Sequence, residues 1–245
     1  MARVSRTLRG ADIRRAQRGG TAVLMRGEQS MRIQGNAVFE AVTYHSQLLI
    51  RAFLRVHFAP TIPRMTLRPY RGTSPMLGAR VYVDPMASVI GDVVLGDDVS
   101  IWPFTVVRGD VNFVRIGART NVQDGTVIHV SHDGPHAKLG GFATVIGEDV
   151  TIGHKAIIHA CRIGDAALVG MGAIVLDGAV VERHGFVGAG ALVPPGKTVG
   201  EGELWLGNPA RFARRLSDAE IEALHYSAGH YVRLKDAYLA GDVPA

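Results

Sequence analysis

The chain has 245 residues, a formal net charge of +5, 47% hydrophobic and 7% aromatic residues, thirty glycines and one cysteine. A single cysteine excludes an intramolecular disulfide framework and suits a reducing compartment. The stretch LLIRAFLRVHFA is interrupted by Arg51 and Arg55, and no uncharged apolar run is long enough to span a bilayer, so we expect no membrane partner.

The basic charge lies in the N-terminal segment. Residues 1–64 hold eleven arginines and three acids, a net of +8, whereas the rest of the chain has 16 basic and 19 acidic residues, a net of −3. The body therefore carries no general signal for nucleic acid. An Arg-rich, acid-poor leader can be a mitochondrial transit peptide, but this one has few serines. We expect a poorly ordered extension and a cytoplasmic protein, with a mitochondrial location as the alternative.

An aliphatic residue recurs every six positions over most of the remaining chain. The anchors of this repeat form two runs separated by an insertion: Val83, Val89, Leu95, Ile101, Val107, Ile116, Val122 and Ile128, then Ile146, Ile152, Ile158, Ile163, Val169, Val175, Val181, Val187, Val193 and Val199. A small or β-branched residue follows most anchors by four positions. This period fits neither an α-helix nor an alternating strand, and it is typical of a solenoid.

Hexads of this kind resemble those of the left-handed parallel β-helix, in which three short strands form one eighteen-residue coil. The handedness is implied by the resemblance, because parallel crossovers are otherwise nearly always right-handed. Each coil buries its anchors only against neighbouring coils, so the stack shares one core. A sandwich of short strands is the alternative, although it would not need so strict a period.

The hexads set the expected domain limits. We predict a β-helix domain over residues 65–207, ending where Gly207-Asn208-Pro209 breaks the repeat. In the C-terminal segment, residues 208–245, Ser217 to Glu220 reads as a capping box. The helix that follows is predicted to run from about Asp218 to Tyr238 and to pack against the coils through Ile221, Leu224, Ala228 and Tyr231.

The phase of the repeat shows which histidines can share a metal ion. When each anchor is position one, Arg108, His129 and His159 all occupy position two. If the two insertions bulge out without consuming a strand, these residues lie on successive coils, about 4.8 Å apart. Two imidazoles in such a column can converge on one ion.

His154 occupies position three and therefore belongs to the preceding face, where Asp124 lies one coil earlier. We therefore predict that His154 of one subunit joins His129 and His159 of its neighbour. Closed threefold symmetry would repeat this site three times in a homotrimer. Three neutral imidazoles with an open fourth position form a zinc site of the catalytic type.

Four segments carry a family resemblance: RGDVN (108–112), TNVQDGTVIHVSH (120–132), IGHKAIIHACRIGD (152–165) and LVGMGAIVLDGA (168–179). They resemble the gamma-class carbonic anhydrases and their close hexapeptide-repeat relatives, from about Val83 to Asn208. The resemblance implies that His129, His154 and His159 bind the metal. Zn²⁺ is the expected ion, and Fe²⁺ or Co²⁺ would suit the same ligands.

The resemblance also implies roles for neighbouring residues. Gln123 matches the glutamine that orients the hydroxide or bicarbonate at the metal, and Asn121 matches a nearby polar residue. The charged residues Arg108, Asp110 and Asp124 match the subunit interface, where a guanidinium and a carboxylate can form a bidentate pair. These three could equally serve a purely structural purpose.

The implied activity is the reversible hydration of carbon dioxide to bicarbonate. The sequence departs from the family where glutamates assist proton transfer, since Val111 follows Arg108-Gly109-Asp110 and the insertion has no glutamate. The departure puts turnover in doubt rather than metal binding. His132 and His136 are candidate proton relays, or simply solvated loop residues.

Three other interpretations stay open. A hexapeptide acyltransferase or an acyl-CoA thioesterase could use the same scaffold, because a fold does not determine chemistry. A metal-stabilised trimeric scaffold without catalysis is the third.

Cys161 lies two residues after His159, and we interpret it as a buried thiol at a coil corner rather than a ligand.

Overall fold

A computed structural model describes residues 66–135 and 139–241, together with the backbone of two strands nearer the N-terminus. Those two are β1 (Thr21–Arg26) and β2 (Gln29–Gln34), which pair antiparallel. The remainder of the leader lies outside the described residues, so the poorly ordered extension stays a prediction.

The solenoid is built from short strands, most of them two or three residues long. In chain order they are β3 (Leu67–Arg68), β4 (Met76–Leu77), β5 (Tyr82–Val83), β6 (Ser88–Leu95), β7 (Ser100–Ile101), β8 (Val106–Ile116), β9 (Asn121–Val122), β10 (Val127–His129), β11 (Thr144–Ile146), β12 (Thr151–Ile152), β13 (Ile157–His159), β14 (Arg162–Ile163), β15 (Leu168–Val169), β16 (Ile174–Val175), β17 (Val180–Val181), β18 (Phe186–Val187), β19 (Leu192–Val193), β20 (Thr198–Val199), β21 (Glu203–Leu206) and β22 (Arg211–Arg215). The single described helix, α1 (Asp218–Ala240), follows.

The strands form three faces. The long strands β6 and β8 each belong to two faces: the first half of β8 pairs with β10, and its second half pairs with β11. The first face continues through β13, β16 and β19, and the second through β14, β17 and β20. The third face is an eight-stranded sheet from β5 to β22. The predicted parallel β-helix with a C-terminal helix is therefore confirmed.

The predicted anchors form the core. Every anchor of both runs is at most 3% exposed, and the small residues four positions later are buried as well. Where the small residue is a threonine, its hydroxyl bonds to a carbonyl on the next coil, as from Thr105 to Gln123 (3.0 Å) and from Thr126 to Gly153 (3.1 Å). Polar atoms inside the stack therefore keep their hydrogen bonds.

The longer insertion leaves the coil without disturbing its register. Ser131 and Phe142 form an antiparallel bridge at its base. Beneath it, Ile128 pairs with Ile158, so thirty sequence positions still make one coil step. The expectation that this segment consumes no strand is confirmed, and that register places the histidines described below.

The C-terminal end agrees with the sequence in outline and differs in two details. The capping box of Ser217 and Glu220 is present, and α1 ends at Ala240, slightly beyond the predicted Tyr238. Strand β22 folds back on β21, so residues 208–245 contain a strand as well as a helix. No described helix has the length and apolar character needed to cross a bilayer.

The helix packs against the coils, as expected, and lies on the third face, where its contact includes a charge. Leu224 and Ala228 are buried, whereas Ile221 and Tyr231 are only half-buried. Near the end of α1, Lys235 is fully buried, and its Nζ lies 2.9 Å from Asp98 Oδ1 and also bonds to Asp236. A buried ammonium needs such partners, because an unpaired one would cost several kcal/mol.

The space around two glycines, one in the stacked coils and one on α1, predicts opposite effects of alanine substitution. A Cβ at Gly170 would lie 2.5 Å from the backbone nitrogen of Ala189, whereas at Gly229 on α1 it would meet only the tip of Arg233 at 3.4 Å. Gly170→Ala should destabilise the fold by roughly 1–3 kcal/mol through overpacking. Gly229→Ala should stabilise it by about 0.5–1 kcal/mol, because alanine loses less entropy in a helix.

Thermal unfolding of the two variants beside the unmodified chain measures both effects. An unchanged Tm for Gly170→Ala would contradict the close backbone approach between these coils.

Candidate metal centre

Two histidines from successive coils face each other on the first face. His129 ends β10 and His159 ends β13, and the two residues pair in register. His129 Nδ1 lies 3.2 Å from His159 Nε2. Arg108 follows Val107, which pairs with Ile128, so it begins the same column one coil earlier. We call Arg108, His129 and His159 the histidine column.

Each imidazole of the column also bonds to a carboxylate. His159 Nδ1 lies 2.5 Å from Asp177 Oδ1, and His129 Nε2 lies 3.0 Å from Asp110 Oδ1. Carboxylates of this kind fix the tautomer and ring orientation of metal-binding histidines and raise their basicity. In both rings, the nitrogen opposite the carboxylate faces the other imidazole.

The electrostatics favour a neutral His129. Desolvation lowers the pKa of His129 and outweighs the opposing effect of its hydrogen bond with Asp110. Burial would raise the pKa of Asp110, but hydrogen bonds to His129 and Arg108 outweigh it and lower that pKa. The column thus pairs a neutral imidazole with an ionised carboxylate near neutral pH, which is the protonation state a metal ligand needs.

The donor set fits a divalent ion. Two nitrogens bound to tetrahedral zinc at 2.0–2.1 Å lie about 3.3 Å apart, close to the observed 3.2 Å. Among the described residues, no group of three histidines, cysteines or acids comes together within one chain. The histidine column therefore offers two candidate ligands, and a three-ligand site would need a further ligand from elsewhere.

His154 lies in a separate group, at the corner that follows β12. Its Nδ1 lies 2.8 Å from Asp124 Oδ2, as the repeat phase predicts. Its backbone N–H donates to Gln123 Oε1 (3.2 Å), and Gln123 Nε2 donates to Asn121 Oδ1 (3.1 Å). We call Asn121, Gln123, Asp124 and His154 the corner cluster.

Buried hydrogen bonds hold the corner cluster in place. Asn121 is fully buried, and its side-chain amide donates to Thr151 Oγ1 at 3.0 Å. Thr151 Oγ1 is in turn 3.1 Å from the hydroxyl of Ser227 on α1. Because each amide is fixed by the next, Gln123 cannot rotate without breaking two bonds.

The charged residues have partners within their own chain. Arg108 bonds to Asp110, and Asp124 bonds to His154. The sequence led us to expect these charges to face each other across subunits, and that arrangement stays a prediction. Short intrachain partners are available because Asp110 lies two residues from Arg108 on the same strand.

Asp177 is the site residue that sequence reasoning missed. It lies at the corner after β16, eighteen positions beyond His159, whereas one coil step here is seventeen positions because Ile158 pairs with Val175. That near-coil spacing is the signal that could have identified it. A search for acids within one residue of the position one coil beyond each histidine would have found Asp177.

The remaining candidates have simpler environments. His132 is exposed in the insertion, and His136 lies outside the described residues. Cys161 is 1% exposed, and burial raises the pKa of its thiol. A buried, protonated thiol is a packing group, as we predicted, and makes a poor ligand.

Comparison with known proteins identifies relatives over most of the solenoid. The family model for bacterial transferase hexapeptide (six repeats) matches residues 74–109. Protein YrdA of Escherichia coli K12 is 54% identical over 173 residues, which cover 71% of this chain and 94% of that protein.

Two further relatives carry functional names. Gamma carbonic anhydrase 1, mitochondrial, of Arabidopsis thaliana is 47% identical over 167 residues, covering 68% of this chain and 60% of the plant protein. The crystal structure of a hexapeptide transferase family protein from Anaplasma phagocytophilum is 45% identical with a TM-score of 0.66, covering 71% of this chain and 99% of that one.

The carboxylate behind His159 gives a direct test of the histidine column. Asp177→Asn should weaken zinc affinity by about 10- to 100-fold, because the neutral amide no longer fixes the His159 tautomer. Asp133→Asn, in the exposed insertion, is the control that keeps the same chemical change away from the site. Equilibrium zinc titration against a chromophoric chelator measures both. Equal affinities for the two variants would contradict the role of Asp177.

Proposed function

The chain belongs to the hexapeptide-repeat family that includes the gamma-class carbonic anhydrases, and from this membership we propose that it catalyses the reversible hydration of carbon dioxide. The observation that carries the proposal is the pair His129 and His159, in register on successive coils with ring nitrogens 3.2 Å apart. Such a pair supplies two of the three ligands of a three-histidine metal site.

The proposed site is completed between subunits. His154 lies in the corner cluster and not in the histidine column, so one chain supplies two ligands to one site and the third to another. In a homotrimer, each interface would combine the histidine column of one chain with the corner cluster of its neighbour. Zn²⁺ is the proposed ion, with Fe²⁺ or Co²⁺ as alternatives for the same imidazoles.

The metal would supply the acidity that the protein side chains lack. In zinc carbonic anhydrases a bound divalent ion lowers the pKa of water to about 7, so that a nucleophile is available at neutral pH. The residues of this chain then have to hold the ion, orient the reactants and export a proton.

Gln123 is positioned to orient the reactants. Its carbonyl oxygen accepts from the His154 backbone, and its amide donates one hydrogen to Asn121. A primary amide has two hydrogens to donate, which leaves the second for an oxygen of carbon dioxide or bicarbonate. Because Gln123 is buried and its partners are fixed, this donor needs no reorganisation during the reaction.

Proton export depends on the region around the insertion. Asp110 already bonds to both Arg108 and His129, so it is committed to positioning rather than to relay. His132 is exposed and can exchange protons with solvent, and His136 is the second proposed relay. In the absence of the family's glutamates, we expect the external buffer to carry much of this transfer.

Acyl transfer is the second candidate. The matching family model and the Anaplasma structure both bear the name of hexapeptide transferases. A histidine general base would serve that chemistry, but an acyltransferase would not require two histidines in register on successive coils. An acyl-CoA thioesterase and a non-catalytic trimeric scaffold would both be compatible with a metal. Assays with acyl-CoA substrates distinguish these alternatives from carbon dioxide hydration.

The compartment is also a proposal. We favour the cytoplasm on the basis of the single buried thiol, with the mitochondrion as the alternative because of the Arg-rich leader. The name of the plant relative places that plant protein in the mitochondrion, and the location is a property of the plant protein.

Stopped-flow carbon dioxide hydration on anaerobically purified, metal-analysed protein tests the activity. The rate should exceed the metal-free background and rise with pH. Gln123→Ala should lower kcat/KM by about 100-fold or more at any buffer concentration, since it removes a buried donor. His132→Ala, the matched surface variant, should lower the rate only at low buffer, because an external buffer replaces a relay.

A fully metallated protein without hydration above background at high buffer would overturn the proposal. Acyl-CoA turnover in the same preparation would then assign the site to the transferase or thioesterase reaction.

A further inference from the structure

A second pair of histidines lies far along the chain from the histidine column. His184 is at the turn between β17 and β18, and His225 is on α1. Their Nε2 atoms are 3.2 Å apart, and their ring centroids are 5.2 Å apart. In the histidine column, His129 Nδ1 and His159 Nε2 are also 3.2 Å apart, and the two ring centroids are also 5.2 Å apart. Neither His184 nor His225 has a part in the proposed carbon dioxide chemistry.

The backbone that carries each ring is held in place before any ligand arrives. His184 is 9% exposed, and its backbone N–H donates to Asp165 O at 3.1 Å. On α1, His225 follows the buried Leu224 and stands two residues before Ser227, which bonds to Thr151. Because the neighbouring contacts fix this turn of α1, a ligand that joins the two rings has to order the exposed His225 side chain but not the backbone beneath it.

The geometry points to a second divalent-metal site, formed by Nε2 of His184 and Nε2 of His225, which ties α1 to the solenoid. Nitrogens 2.0–2.1 Å from a tetrahedral ion are about 3.3 Å apart, and the centroids of the attached rings are about 5.2 Å apart. Imidazole pairs suit Zn²⁺, Ni²⁺ and Cu²⁺. Among the described residues no third protein ligand joins the pair, so water would complete the coordination.

The protonation state of the pair suits a metal. Desolvation, then Arg183 and His225, lowers the pKa of His184, while Glu201 opposes these effects. Without metal, one ring donates its Nε2 hydrogen to the other Nε2. Metal binding at both Nε2 atoms moves that hydrogen to Nδ1 of the donor ring, so two neutral imidazoles bind without net proton release.

A metal at this site would stabilise the packing of α1 on the third face of the solenoid. Helix α1 packs on the sheet that contains β9 and β12, and Ser227 contacts Thr151, which holds Asn121. A metal between His184 and His225 would oppose any opening of α1 that separates the two rings. It would therefore stabilise the surface on which the corner cluster rests, independently of whether the protein hydrates carbon dioxide.

Zinc titration of the full-length, chelator-stripped protein by calorimetry tests this inference. The unmodified chain should show a class of sites, one per chain, that survives His129→Ala. In His225→Gln that class should weaken at least about tenfold. His230→Gln is the matched control, since His230 is on the same helix but its ring stacks on Tyr226, whereas the ring against His184 is that of His225.

A second readout does not depend on counting sites. Zinc at about 100 times its Kd should slow hydrogen exchange of the α1 amides by about 100-fold if their opening separates the rings. His225→Gln should abolish this protection and His230→Gln should retain it. Because His225 is exposed on a helix, its glutamine variant is expected to fold, whereas His184 lies at a positive-φ corner.

The inference is overturned if His225→Gln binds zinc in the same way as His230→Gln. It is also overturned if His129→Ala removes all zinc binding, in which case the pair is only a hydrogen-bonded contact between α1 and the solenoid.

Discussion

The in-register stacking of parallel coils is the constraint on which the rest of the molecule depends. Each anchor packs on the equivalent anchor of the next coil, as Val107 does on Ile128 and Ile128 on Ile158. A slip of one residue would turn buried aliphatic side chains outward and polar ones inward, at a cost of about 0.8 kcal/mol for each buried CH₂ lost. The same register that protects the core therefore fixes every outward column, including the histidines.

Stacking also explains why one chain cannot complete the proposed site. Residues at the same hexad phase form a column, so His129 and His159 meet, with Asp110 and Asp177 behind them. His154, one phase later, is directed to a different group of partners. A rigid scaffold that separates ligands in this way can unite them only by association, and a homotrimer supplies equivalent interfaces. Metal binding and assembly would then stabilise each other.

The sequence predicted the solenoid, the core, the histidine column and the helix cap because each follows from a periodic or local rule. The left-handed sense of the predicted β-helix was inferred from the family resemblance, since the period of a repeat gives no information on handedness. The contacts it missed join distant segments through side-chain reach: Asp177 on His159, Lys235 on Asp98, and His184 against His225. The last two depend on where α1 lies on the coils, and neither hydrophobic phase nor capping determines that placement. The proposed assembly of ligands between chains would likewise be a property of the trimer rather than of the single chain.

The sharing of ligands between chains is tested most directly by mixing two inactive variants. His154→Ala chains keep the histidine column, and His129→Ala chains keep the corner cluster. After random subunit mixing, each heterotrimer has one intact interface, so we expect recovery of about a quarter of the interface metal sites, although neither variant alone forms such a site. No metal recovered beyond the sum of the two separate variants, despite mixing verified by mass spectrometry, would contradict a site built between subunits.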